Sequence, residues 1–126
     1  MKKTLFLSAV SLLAVSGLAW AGETRSRETQ VDLTTLRATG SLYHTRMSAD
    51  TVQYIGCLVY GTPPSAPGIT CDARDAEWER LNCRSADAGL VSLALGISDS
   101  SFISFSCDAD SNLTSLVVNT GSMWLP

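Results

Sequence analysis

No lysine follows Lys3, and His44 is the only histidine among 126 residues. A chain body without lysine forms neither a lysine Schiff base nor a P-loop. A single imidazole excludes every site that needs two. Positive charge is scarce as well: residues 22–126 carry seven Arg against twelve carboxylates, a net charge of −5. Nucleic acids and anionic membranes select basic surfaces, so neither is an expected partner. There is no Gly-x-Ser-x-Gly elbow, the local signature of many serine hydrolases. No two cysteines are spaced as the close pairs of a zinc site, so no metal or other cofactor is expected. Hydrophobic runs are short. The longest, 5–18, has 14 residues and includes Ser8, Ser11 and Ser16, whereas a membrane-spanning helix needs about 20.

That run is the chain's clearest address. Lys2 and Lys3 precede it and Ala19-Trp20-Ala21 follows. A basic start, a short apolar stretch and small residues two apart make a secretory signal peptide over 1–21, cleaved after Ala21. The expectation is a periplasmic or secreted protein with no membrane span once the leader is removed. Residues 22–37 read as a polar N-terminal arm, mobile or forming a marginal strand, because only Val31, Leu33 and Leu36 are apolar. Residues 38–126 then form a single domain.

The domain holds Cys57, Cys71, Cys83 and Cys107. An even count in a small exported chain reads as two disulfides. Ile69, Cys71 and Ala73 alternate with Thr70, Asp72 and Arg74, and Leu81 and Cys83 oppose Arg80, Asn82 and Arg84. These are two half-buried strands of a hairpin. Setting Cys71 opposite Cys83 and Asp72 against Asn82 buries both apolar faces together. That register favours a Cys71–Cys83 bridge and leaves Cys57–Cys107. Cys57 lies on the apolar face of Ile55 and Val59, and Cys107 on that of Ile103 and Phe105. Loop closure assigns the two bridges roughly 3 and 4 kcal/mol, large beside the ~5–10 kcal/mol of a small domain.

Elsewhere, 39–47 reads as a weakly patterned strand. Residues 51–60 are apolar on both faces, which predicts a central strand covered on both sides, with Gly56 marking a bulge or a close backbone approach. Thr62-Pro63-Pro64-Ser65-Ala66-Pro67-Gly68 is a surface loop. Asp87 is placed to cap a short helix over 88–96, and 102–108 and 114–120 form a hairpin. The fold class is mainly β: a small antiparallel sandwich or open barrel of five or six strands, with one short helix and two disulfides.

The blocks SADTVQYIGC (48–57), CDARDAEWERLNC (71–83) and SSFISFSCDADSNLTSLVV (100–118) resemble a set of small exported bacterial proteins of no established activity. That set shares a SADTVQYIGC-like block, a C-x-A-x-[DN]-A hairpin and a late [YF]-I-x-F strand. The resemblance covers 39–126 and implies a fold and a compartment, not a reaction. In that set the last cysteine stands beyond the final turn, near the position of Leu113. Here it is Cys107, before the turn, and 107 and 113 are placed to face each other across the hairpin.

Candidate chemistry is thin. Asp108, Asp110 and Asn112 have the opening spacing of a calcium loop, but Leu113 and Asn119 stand where Gly and Glu are needed. A serine-hydrolase triad has only His44 as its base. Asp72, Asp75, Glu77, Glu79 and Asp87 lie among Arg74, Arg80 and Arg84, an alternation of signs typical of a soluble surface. With all four thiols committed to bridges, no catalytic residue is assigned. The contact candidates are Trp78, between two Glu at a hairpin tip, together with Tyr43 and Tyr60; Tyr54 is expected in the core. The expected function is a non-enzymatic binding or interaction module with a protein or glycan partner. The alternatives are a small secreted hydrolase with an unrecognised site and a carbohydrate-binding module.

Overall fold

A computed structural model describes residues 27–125. The leader read at 1–21 lies outside the described residues, as do 22–26 of the polar arm. The chain forms β1 (Gln30–Asp32), β2 (Arg37–Ser41), α1 (Leu42–Arg46), β3 (Tyr54–Tyr60), β4 (Gly68–Arg74), β5 (Arg80–Ser85), α2 (Ala88–Ala94), β6 (Ser101–Cys107) and β7 (Leu113–Thr120), and ends in a single 3₁₀ turn at Ser122–Trp124. The strands make two antiparallel sheets, ordered β1-β2-β6-β7 and β3-β4-β5. Among the described residues no helix is long and apolar enough to cross a membrane.

Period-two alternation builds the three-stranded sheet. Ile69, Cys71 and Ala73 of β4 and Cys83 of β5 are fully buried, while Asp72, Asn82 and their outward neighbours face solvent. Asp72 stands opposite Asn82 and Cys71 opposite Cys83, as the hairpin pattern predicts. In the other sheet β6 is central. Ile103 and Phe105 are fully buried and pack with Ala38 of β2 and Leu116 of β7. The two inner faces share one core with Val91 and Ala94 of α2, whose N-terminus is capped by Asp87 accepting from Leu90 N at 2.9 Å. Gly40 marks a close approach between the sheets: a Cβ there would lie 3.2 Å from Ile55 Cγ2.

The disulfides correct the expected pairing. Cys57 is bonded to Cys71 and Cys83 to Cys107. The register explains why. Cys57, Cys71 and Cys83 lie in one row across the sheet, all on the inner face. The middle cysteine therefore has two in-register neighbours, and either one satisfies the alternation. Its bridge goes to Cys57, with Cα atoms 4.0 Å apart. Cys83 instead reaches across the core to β6, Cα–Cα 5.9 Å, tying one sheet to the other. Cys107 and Leu113 do face each other across the β6–β7 hairpin.

Three further expectations change. β3 is an outermost strand, not a central one, and its second apolar face is open, with Leu58 and Tyr60 exposed and Tyr54 half-buried. Gly56 pairs regularly with Asp72, without a bulge, and a Cβ there would meet nothing within 4 Å. The 39–47 segment is not one strand: the buried Ser41 ends β2 and caps α1, its Oγ accepting from His44 N. Within the polar arm, Gln30–Asp32 form a short strand paired to β2.

Candidate functional site

The outer face of the three-stranded sheet gathers the exposed rings. The turn between β4 and β5 is organised by Asp75, a carboxylate only 5% exposed. Its Oδ1 accepts from Glu77 N and Glu79 N at 3.0 and 2.9 Å, and its Oδ2 from Val31 N of β1 at 3.3 Å. Asp75 N in turn donates to Glu79 O. This closure holds Trp78 at φ 69°, in the left-handed region that bulky side chains avoid. The Trp78 ring is 64% exposed. The Arg74 guanidinium lies 4.7 Å from its centroid and 5.0 Å from that of Tyr54, so one cation is held between two rings.

Polar groups continue the row. Arg80 pairs with Asp72 across the hairpin, Nε to Oδ1 at 3.0 Å, and the Tyr54 hydroxyl donates to the same Oδ1 at 3.3 Å. Partial burial, then the Asp72 charge, push the Tyr54 hydroxyl's pKa up. The hydrogen bond to Asp72, and its charge, raise that of Arg80. Along β3, Gly56 opens a shallow hollow of about 380 Å³ between Tyr54 and Leu58, floored by Asp72 and Asn82. Tyr60 ends the row, 49% exposed, its ring lying over Gly68.

Of the three contact candidates, Trp78 and Tyr60 thus belong to one sheet face. Tyr43 does not. It sits on α1, edge-on to His44, beside a separate hollow lined by Leu42, Arg46, Met47 and Asp99. Tyr54, expected in the core, is half-buried on this outer face instead. The signal for it was its period of two with Gly56, Leu58 and Tyr60.

The remaining polar candidates are engaged in structure. Ser41 Oγ and His44 Nδ1 are 3.0 Å apart, but Ser41 is fully buried and serves as the α1 cap. Asp108 accepts from Asp110 N, Asn112 N and Asn112 Nδ2 within its own turn, which lowers its pKa. The Trp124 ring is buried and stacks on Phe102 at 4.6 Å. No family model, curated protein or solved structure matches this chain.

Proposed function

We propose that this protein is an exported, non-enzymatic binding module that meets a protein partner through the outer face of its β3-β4-β5 sheet. The observation that carries the reading is Trp78: a large ring in a strained backbone conformation, mostly exposed, over a buried carboxylate that enforces the turn. Such strain costs on the order of 1–3 kcal/mol and clusters at working sites, and of Leu36, Trp78 and Ser111, which share the positive φ, Trp78 is the one that presents a large exposed ring. Trp, Tyr and Arg are the residue types that dominate binding hot spots, and Trp78, Tyr54 and Arg74 stand here in contact. Two disulfides fit an oxidising compartment, as does the leader read at 1–21. His44, Asp75 and the four thiols are occupied structurally, which supports a role without catalysis.

The hollow beside Gly56, with Asp72 and Asn82 next to a ring, favours a glycan as the second reading. Trp78→Gly separates function from packing. Glycine adopts the left-handed turn freely, which offsets the Arg74 contact and the chain entropy that it forfeits, so the variant is expected to stay within about 1 kcal/mol of the wild type. Protein capture in extracts, or binding on a glycan array, is expected to fall away. A Trp78→Gly protein that retains the wild-type partner rules the site out. One that loses several kcal/mol makes Trp78 a packing residue.

A further inference from the structure

We propose that two copies of this chain join through β3, edge to edge and antiparallel, into one six-stranded sheet. The inference goes beyond the proposed function and rests on a different observation, the unpaired main-chain groups along the edge of β3.

The Cys57–Cys71 Cα separation of 4.0 Å marks these two as a non-hydrogen-bonded pair of the ladder. Alternation then turns the N–H and C=O groups of Ile55, Cys57 and Val59 away from β4. Among the described residues none of these groups has a hydrogen-bond partner outside the strand ladder. Proteins guard such edges with charge, proline, bulges, brevity or a covering helix or loop; α1 and α2 both pack near β3, but neither bonds to its outward main-chain groups. The other outermost strands are guarded in these ways. β1 has three residues, β5 carries Arg80 and Arg84, and β7 starts at a register shift. β3 reads Tyr-Ile-Gly-Cys-Leu-Val-Tyr, seven residues in unbroken register without charge or proline.

The strand is also complementary to itself. An antiparallel pairing centred on Cys57 sets Cys57 against Cys57 and Ile55 against Val59 of the second copy. These are the residues with outward backbone groups, so about six main-chain hydrogen bonds form. On the outer face Leu58, 65% exposed, meets Gly56 of the second copy, where no atom lies within 4 Å of a built Cβ. Tyr54 meets Tyr60 of the second copy, an aromatic cross-strand pair. No like charges oppose each other in this register. A foreign strand satisfies the hydrogen bonds equally, but the match of Leu58 to the Gly56 gap belongs to the chain's own sequence. Both Trp78 faces would end on one side of the joined sheet.

The test is sedimentation of the oxidised protein, raised to about 1 mM, the range of a weak complex. Gly56→Val fills the gap that receives Leu58, and Val59→Pro removes an outward N–H that the single chain leaves unbonded. The wild type is expected to dimerise, and each variant that folds to weaken dimerisation at least about tenfold. Isotope-filtered NMR on a mixed-label dimer should show Leu58 against Gly56 of the other copy, a readout that stands even if Val59→Pro fails to fold. A wild type that stays monomeric overturns the proposal. So does a dimer indifferent to Gly56→Val, one whose contacts lie elsewhere, or an edge that takes only a foreign strand.

Discussion

Strands β3 and β7 are both outermost in their sheets. β7 begins opposite the register shift at Ser106/Cys107, which turns both Leu113 and Leu116 inward and leaves Thr114, Ser115, Val117, Asn119 and Thr120 on its exposed positions. β3 keeps strict alternation, faces outward with Tyr54, Leu58 and Tyr60, and has only Ile55 buried. β7 therefore leaves Val117 as its one large apolar side chain exposed among polar neighbours, whereas β3 exposes Leu58 and Tyr60 side by side. β3 is held in place by its disulfide to β4 and by partial burial, with its apolar outer residues unused by the fold. Apolar character that packing does not require is the physical mark of a contact surface.

Point substitutions sharpen the contrast. Leu116→Ala in β7, where the side chain is 6% exposed, is expected to cost about 2–5 kcal/mol. The same change at Leu58 in β3 should stay within about 0.5 kcal/mol when measured on dilute protein. Urea midpoints read both, and equal losses would erase the distinction between the two edges. Next in size is Asp75→Ala. It strands three backbone N–H groups, one of them in β1, and should cost about 1–3 kcal/mol. Glu77→Ala in the same turn serves as the silent comparison.

The smallest effect is at acid pH, where each edge strand is entered through a carboxylate turn. Asp50 accepts from Gln53 Nε2, Gln53 N and Val52 N before β3, and the Gln53 side chain leads in lowering its pKa from 3.8 to about 2. Asp108 does the same before β7, lowered chiefly by Asn112. A pKa depressed by folding stabilises the protein fully above the unfolded value and is lost as pH falls through the folded one. Melting temperature should therefore hold level on the neutral side of pH 3.8 and decline toward pH 2. Asp50→Asn should soften that decline and Asp50→Asn/Asp108→Asn soften it further. Unchanged acid profiles would show that neither turn matters to its strand.

Much of the architecture is legible in the residues. Alternation over 69–74 and 80–85 yields both strands and their register, Asp87 yields the α2 cap, and the Ser-Phe-Ile-Ser-Phe pattern yields β6. The disulfide partners are not legible, because three cysteines fall in one row and alternation is blind to which neighbour bonds. The place of β3 is hidden for a related reason: two apolar faces look alike whether covered by the fold or open. α1 is missed because Ser41 looks like a strand residue until its hydroxyl turns to cap His44 N. Trp78 is visible as a ring among carboxylates, but its cradle is not, since Arg74, Tyr54 and Asp75 converge only through the pairing of three strands.

The layout of faces and edges depends on which sulfurs are joined, and trypsin reads that directly. Arginines at 46, 74, 80 and 84 bound the fragments, and no lysine intervenes. With Cys57 bonded to Cys71 and Cys83 to Cys107, denatured but unreduced protein should release 47–74 as a single internally closed peptide. Fragment 81–84 should appear separately, joined to 85–126. A single species containing all three fragments would contradict the pairing, and with it the position of β3.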